Sequence, residues 1–276
     1  MIRKILVPTD GSETANVGVH YAVALAQRSG AALYGLHVID VKLLEGPFLR
    51  DLSASLGTAP YVNYQGNITL ILEERGKAAL EVFREACEKV GVPCDTEQCT
   101  GVVAHEIAAH SELADLVVMG RAGEHGPWIE GLLGSTTQAV VRRAHAPVLV
   151  TGAAAIEGNL LLTVYDGSDH AKSALRLAAE WASQWQAPLH VLSVGEDIAE
   201  KRLAEAGEYL EAYAIEVTPV QKQGDPSETI VEYARTRGAD LLIMGAYGHS
   251  KVREWVLGSK TSYALNHSPC PVLLVR

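Results

Sequence analysis

The sequence contains few cysteines and no long apolar run. Its 276 residues include four cysteines, none of them spaced as C-x-x-C. This usage favours reduced thiols over a disulfide framework or a zinc site. No run approaches the roughly 18–20 apolar residues that a membrane helix needs, so we expect no membrane partner. The first residues lead straight into a short strand, which is unlike a signal peptide and favours a cytoplasmic protein. The cysteines are Cys87, Cys94, Cys99 and Cys270.

Positive charge is also in short supply. The chain has 23 lysines and arginines against 33 acidic residues, which gives a net charge of −10. A broad face for nucleic acid is therefore not expected, although a local phosphate pocket is compatible with this charge.

Several nucleotide and metal motifs are missing. There is no G-x4-GK[ST] for a P-loop and no G-x-G-x-x-G for a dinucleotide site. The signatures of adenylating α/β enzymes (HIGH, KMSKS, SGGxDS) do not occur either. His105 and His110 are five residues apart, which on a helix separates them by about 140°, so they do not form the zinc-protease motif.

What the sequence does contain is a glycine pattern after a short apolar strand. Residues 241–244 are apolar, and Gly245, Gly248 and Gly258-Ser259 follow before a helical pattern begins. We call the chain between Gly245 and Gly258 the second glycine loop. Glycines let backbone N–H groups approach an anion, and the start of a helix offers unpaired donors with partial positive charge. The pattern therefore predicts a phosphate site.

The same pattern occurs earlier in the chain. Residues 116–119 are apolar, Gly120 and Gly123 follow, and Gly134-Ser135 opens a helix. We call the chain between Gly120 and Gly134 the first glycine loop. The two halves also begin alike, with Asp-Gly-Ser at residues 10–12 and 166–168. We interpret the chain as a tandem duplication with domains at 1–151 and 159–276, joined by a linker at 152–158.

Each half reads as five strands alternating with four helices, which predicts an α/β fold of two tandem open five-stranded parallel sheets. Asp10 to Asp166 is an offset of 156 residues and Gly134 to Gly258 of 124, so the first half holds about 32 extra residues. We place most of them in an insertion at about 40–67, with a helical turn near 49–56 and a helix from Ile68. Ligands of such sheets bind at the carboxyl ends of the strands, where the strand order switches.

The spacing Gly-x2-Gly-x9-Gly-Ser resembles the ATP-binding signature of the universal stress protein family, and the resemblance covers nearly all of each half. It implies a Rossmann-like fold, ATP with Mg²⁺ or Mn²⁺, and a role as a stress-response sensor or regulator. By this resemblance Asp10 or Asp166 contacts the ribose, and Val38 or Val194 contacts the adenine through its backbone. The implied nucleotide-binding residues are Pro8, Thr9, Asp10, Val38, Met119, Gly120, Arg121, Gly123, Gly134, Ser135 and Thr136 in the first half, and Tyr165, Asp166, Val194, Met244, Gly245, Gly248, Gly258, Ser259 and Lys260 in the second.

The resemblance also implies that domains pair through their last strands, here residues 147–151 with 271–276, and a homodimer is a further possibility. The first half departs from the signature, because ten residues rather than nine separate Gly123 from Gly134. For that reason we expect the second site to be the more dependable one. Tyr165 stands where the first half has Thr9, which predicts a change in how the second site holds its ligand.

No residue stands out as a general base at a γ-phosphate, so at most slow ATP hydrolysis is expected. Two alternatives stay open on the sequence alone. One is an ATP-hydrolysing or nucleotidyl-transferring enzyme of the same fold. The other is a scaffold that binds no nucleotide.

Overall fold

The computed structural model describes residues 2–45, 61–123, 133–152, 156–246 and 258–276. The first half forms five strands and five α-helices in this described part. The strands are β1 (Lys4–Pro8), β2 (Ala32–Asp40), β3 (Cys94–Gly101), β4 (Leu116–Met119) and β5 (Val148–Val150). The helices are α1 (Glu13–Ser29), α2 (Val41–Glu45), α3 (Tyr61–Glu88), α4 (Val103–His110), with a 3-10 turn at Ser111–Leu113, and α5 (Ser135–Arg143).

The second half repeats this order with shorter connections. Its strands are β6 (Leu161–Val164), β7 (Leu189–Val194), β8 (Val217–Lys222), β9 (Leu241–Gly245) and β10 (Val272–Val275). Its described helices are α6 (Asp169–Trp185), α7 (Asp197–Leu210), α8 (Pro226–Arg237) and α9 (Ser259–His267).

Local capping explains where several helices begin and end. The Ser12 side chain accepts a hydrogen bond from Ala15 N and so caps α1, which stops at Gly30 in the left-handed conformation, φ 71°. Asp225 caps α8 with its carboxylate, and Pro226 occupies the first turn, where a missing N–H costs nothing.

All the strands lie in one sheet with the order β3-β2-β1-β4-β5-β10-β9-β6-β7-β8. Within each half the pairs are parallel, as in β1 with β2 and β6 with β7. The halves meet at β5 and β10, which pair antiparallel with Val150 opposite Val272 and Val148 opposite Leu274. The expected α/β class is confirmed, and the two five-stranded sheets are joined edge to edge into one ten-stranded sheet.

Helices cover both faces of the sheet. On one face α1, α3, α6 and α7 bury a core that includes Phe83 and Trp181. On the other face α4, α5, α8 and α9 bury a second core that includes Ile107 and Leu265. Because both faces are covered, the inner strands consist almost wholly of apolar residues.

The insertion differs from its expected form. Helix α3 begins at Tyr61, not at Ile68, so its first two turns lie inside the segment expected to be irregular. Low periodicity there concealed the helix start. The expected turn at 49–56 and part of the linker, 153–155, lie outside the described residues. None of the helices in the described ranges is both long and apolar enough to cross a bilayer.

Candidate functional site

The strand order of the first half switches direction between β1 and β4. From β1 the chain moves outward to β2 and β3, then returns to β4 on the opposite side of β1. The carboxyl ends of β1 and β4 therefore diverge into a crevice, which is the usual ligand position in open parallel sheets.

A tight turn after β1 presents an aspartate to this crevice. Ser12 N donates a hydrogen bond of 3.0 Å to Asp10 Oδ1, and Gly11 adopts a positive φ of 79° that few other residues tolerate. Thr9 is fixed on both sides, since its N–H donates to Leu36 O at 2.9 Å and its Oγ1 accepts from Gly11 N at 3.2 Å. The turn holds the Asp10 carboxylate at the end of the strand.

The glycines at the start of the first glycine loop permit close backbone approaches. A Cβ atom on Gly120 would lie 2.4 Å from Thr14 O at the start of α1, which no side chain could tolerate without backbone movement. A Cβ on Gly123 would lie 2.5 Å from Asp10 Oδ2. The first approach packs β4 against α1, and the second brings the loop backbone against the aspartate.

The end of this loop opens helix α5. Gly134 N donates to Arg121 O at 2.8 Å, which ties the two described ends of the loop together. Gly134 occupies the N-cap position of α5, and no side chain caps the helix there. The first N–H groups of α5, with their partial positive charge, therefore face the crevice without a capping side chain.

These elements enclose a cavity of 360 Å³. Every first-half residue expected at a nucleotide site except Arg121 lines it: Pro8, Thr9, Asp10, Val38, Met119, Gly120, Gly123, Gly134, Ser135 and Thr136. A volume of this size is within the range of small-molecule sites.

Other lining residues were missed by sequence reasoning. Leu72 and Arg75 lie on α3, the long helix whose first turns belong to the insertion. Their place in the cavity wall depends on how this helix packs on the sheet. Val103 and Ile107 come from α4, whose apolar residues resemble ordinary core positions in the sequence. The remaining wall is contributed largely by β2 and α2, through Leu36, His37, Ile39, Asp40 and Leu43.

Arg121 points away from this cavity. Its guanidinium donates a hydrogen bond to Leu265 O in α9, across the junction between the halves. Burial lowers the pKa of the guanidinium from its ordinary value. Arg121 was expected among the nucleotide-binding residues. Its side chain instead lies against α9 of the other half, and Arg121 does not line the cavity.

The second half repeats the turn, but the residue before its aspartate is placed differently. Ser168 N donates to Asp166 Oδ1 at 3.0 Å, and Gly167 has φ 79°, as in the first half. The Tyr165 side chain, however, is only 2% exposed and belongs to the core beneath α6 and α7. Burial and a hydrogen bond to Glu205 raise the pKa of its hydroxyl above its ordinary value. Tyr165 thus fills the core with its side chain and leaves only its backbone at the strand end.

The rest of the second site is partly described. A Cβ on Gly245 would lie 2.9 Å from His170 Cβ, so β9 packs closely on α6. Gly258 is the N-cap of α9 and has no side-chain cap, as at α5. Ser259 and Lys260 are exposed at the start of that helix, and Val194 and Met244 end β7 and the apolar part of β9. Gly248 lies outside the described residues.

Comparison with known proteins identifies the family. The sequence profile described as "Universal stress protein family" matches residues 1–152 and 195–276. The chain belongs to the universal stress protein family. Universal stress protein Slr1230 of Synechocystis is 28% identical over 294 residues and covers 100% of both chains. Universal stress protein MJ0531 of Methanocaldococcus jannaschii is 35% identical over 153 residues, 54% of this chain and 82% of its own.

A solved universal stress protein shares the whole tandem fold. The crystal structure of a universal stress protein from Archaeoglobus fulgidus superposes with a TM-score of 0.78 over 99% of this chain and 98% of its own. Its sequence identity is 24%, so this match speaks for the fold alone. The tandem arrangement is therefore shared by other members of the family.

Proposed function

We propose that this universal stress protein binds ATP in the first-half cavity and acts as a nucleotide-dependent stress-response regulator. The observation that carries the proposal is the meeting of three groups at one switch point. These are the Asp10 carboxylate, the loop backbone at Gly123 that lies against it, and the α5 start without a side-chain cap. This is the combination that a ribose followed by phosphates requires.

Each group has a role in the proposal. Asp10 accepts hydrogen bonds from the ribose hydroxyls, and the Val38 backbone at the end of β2 contacts the adenine. Gly120 and Gly123 let the loop backbone approach the ribose and phosphates. The N–H groups that follow Gly134 bind the outer phosphates at the positive end of α5.

A divalent cation fits the same cavity. Mg²⁺ and Mn²⁺ prefer oxygen ligands, and Asp10 and Asp40 are carboxylates in the wall. We propose that the cation is held mainly by the ATP phosphates, with these carboxylates nearby. It would neutralise phosphate charge in a protein whose net charge is −10.

The finer organisation of the chain is also part of the proposal. We divide it into domains at 1–151 and 159–276 with a linker at 152–158, and place it in the cytoplasm. The β5–β10 pairing already uses the last strand of each half within one chain. A homodimer would therefore need another surface.

Calorimetric titration with ATP and Mg²⁺ tests the proposal, with the variant Gly134→Asp. Aspartate is a good N-cap residue, and because a Cβ at this position would lie 3.0 Å from Ala122 Cα, circular dichroism is used to check that the variant folds. Its carboxylate would then occupy the N–H groups offered to the phosphates and repel them. Wild-type protein should bind ATP in the first half, and Gly134→Asp should abolish that event.

Gly258→Asp is the matched control in the second half. One ATP per chain, lost in Gly134→Asp and kept in Gly258→Asp, supports the first-half cavity. Two ATP per chain extend the function to the second half. A wild-type protein that neither releases a nucleotide on denaturation nor binds added ATP would favour the scaffold. Steady-state turnover should stay below about 1 per second, the lower end of ordinary enzyme rates.

A further inference from the structure

Two contacts from the second half reach the ends of the first glycine loop. Leu133 N, just before Gly134, donates a hydrogen bond of 3.1 Å to Asn266 Oδ1 in α9. Arg121, just after Gly120, donates from its guanidinium to Leu265 O in the same helix. Consecutive residues of α9 therefore contact the loop at both of its described ends.

Each of these contacts is supported by further hydrogen bonds. Asn266 Nδ2 donates to Ser262 O at 2.9 Å, which orients the amide so that its oxygen faces Leu133. On the loop side Gln138 Nε2 donates to Leu133 O at 3.0 Å. Leu133 is thus held by its N–H from α9 and by its carbonyl from α5, and its side chain is buried.

The arginine contact is favourable for an additional reason. Leu265 lies in the last turn of α9, where carbonyl groups lack partners within the helix and carry partial negative charge. A cation at this end stabilises a helix. The opposite half uses the same arrangement, because Arg276 donates to Ala144 O at the end of α5 at 3.0 Å. The two helices that begin after the glycine loops, α5 and α9, therefore each end at an arginine of the other half.

The arginine at the start of the loop is present in one half only. Met119-Gly120-Arg121 aligns with Met244-Gly245-Ala246, so the second loop has an alanine where the first has its arginine. Alanine has no side-chain donor. The repeat alignment also places Arg142 at the position of Asn266. The first loop thus has an arginine that donates to α9 and an N–H that donates to Asn266, and neither Arg121 nor Asn266 has the same residue type at the matching position of the other half.

We infer that α9 of the second half is a positioning element of the first-half ATP site, with Asn266 and Arg121 as positioning residues. This inference rests on the proposed function. The described ends of the first glycine loop owe their backbone position, and hence their affinity for phosphates, to the Asn266 side chain and the Leu265 carbonyl, which a lone first domain would lack. Neither residue contacts the nucleotide itself.

Asn266→Ala in the full chain is the principal test, and affinity is measured for ATP and for adenosine. Loss of one well-placed hydrogen bond at the loop should weaken ATP binding about three- to tenfold. Adenosine lacks phosphates, so its dissociation constant should change less than about twofold. A general loss of folding would weaken both ligands together. Arg121→Met, which keeps the side-chain length without the donors, should show the same selectivity for ATP.

Two further variants set the controls. Asn266→Asp keeps an oxygen acceptor for Leu133 N but loses the Nδ2 donor to Ser262 O, so its ATP affinity should fall between those of Asn266→Ala and wild type. His267→Ala changes the next residue, which is exposed and packs at a tilt against Tyr263 within its own helix. It should leave ATP affinity unchanged. Equal ATP affinity in Asn266→Ala and wild type would overturn the inference, as would equal losses for ATP and adenosine.

Hydrogen exchange of the nucleotide-free chain separates this inference from the proposed function. The Leu133 amide should exchange at least about tenfold faster in Asn266→Ala than in wild type or His267→Ala, because its acceptor is gone. If wild-type protein binds no ATP, the proposed function fails, while this exchange still decides whether α9 holds the loop. Unchanged exchange at Leu133 would mean that α9 does not hold the loop end, and would overturn the inference as well.

Discussion

The two halves share one turn and differ in the residue just before it. Asp10 and Asp166 accept the same hydrogen bond, and the glycines that follow have the same φ. In the first half Thr9 precedes the aspartate and lines the cavity, whereas in the second Tyr165 sends a large ring into the core. A duplicated backbone can thus keep the same turn while the neighbouring side chain lines a cavity in one copy and packs in the core in the other.

The helix that precedes the edge strand, α3 in the first half and α7 in the second, also differs between the halves. In the first half Arg84 of α3 donates to Thr96 Oγ1 on the edge strand at 2.9 Å. The repeat alignment places Gly207 of α7 and Pro219 of β8 at these positions. Here a largely apolar groove opens between α7 and the edge of the sheet, and both residues line it. Both edges therefore have a groove, which is lined mostly by polar residues in the first half, Arg84 and Thr96 among them, and by largely apolar residues in the second.

The largest expected effect separates the roles of Thr9 and Tyr165. Tyr165→Ala should lower the free energy of unfolding by about 3–5 kcal/mol, because a buried aromatic ring is lost. Thr9→Ala should cost about 1 kcal/mol or less, because it removes one acceptor at the edge of a cavity. Urea denaturation measures both. Similar losses for the two variants would mean that the positions are equivalent after all.

A smaller effect concerns the first site alone. Gly123→Ala would place a Cβ 2.5 Å from Asp10 Oδ2 and push the carboxylate aside. We expect ATP affinity to fall about tenfold, or about 1.4 kcal/mol, with little loss of stability because a carboxylate can rotate. Calorimetry measures the affinity, and Gly207→Ala provides a control far from the cavity. Unchanged affinity would argue that Asp10 does not contact the ribose.

The groove beneath α7 gives a prediction of opposite sign. A Cβ on Gly207 would meet no atom within 4 Å, so alanine fits in this helix without a clash. Gly207→Ala should raise the free energy of unfolding by about 0.5–1 kcal/mol. The equivalent change in the first half, Arg84→Ala, should lower it by about 0.5–1.5 kcal/mol through loss of the bond to Thr96. Two changes of the same sign would contradict the difference between the edges.

The smallest effect is a pH dependence present in both halves. A hydrogen bond from Tyr34, helped by His110, lowers the pKa of Glu97, and a hydrogen bond from Tyr165, helped by Lys172, lowers that of Glu205. A carboxyl with a lowered pKa in the folded state stabilises the protein above its unfolded pKa, and this contribution is lost as the pH falls through the folded value.

Both side chains are about half exposed, 43% for Glu97 and 51% for Glu205, so solvent screening should keep each contribution to a few tenths of a kcal/mol. Tyr34→Phe should therefore destabilise the protein slightly more at about pH 6 than at about pH 3, measured by urea denaturation. A stability difference that grows on acidification would contradict this sign.

Much of the fold could be predicted from the sequence because it depends on local chemistry. The caps at Ser12 and Asp225 and the apolar runs of the inner strands each act within a few residues, so their signals are visible in order along the chain. The start of α3 was misplaced because residues 61–67 include Gly66 and two asparagines, which are weak helix formers. The site was predictable where two backbone segments approach closely, as at Gly120, since a Cβ there would lie 2.4 Å from Thr14 O.

The direction of individual side chains was not predictable. Arg121 follows a strand end, as a ligand-binding residue would, yet its guanidinium reaches α9 of the other half. Tyr165 also follows a strand end, yet its ring turns into the core.

By itself, the sequence determined the duplication, the alternation of strands and helices, and the positions of the two glycine loops. These features arise from periodicity and from residues with special backbone freedom, and both are local properties. Only the tertiary structure decided how the copies differ. It placed α9 against the ends of the first loop, opened a cavity beside Asp10 and buried Tyr165. Such outcomes depend on contacts between residues more than 100 positions apart, as between Leu133 and Asn266, and no local pattern specifies them.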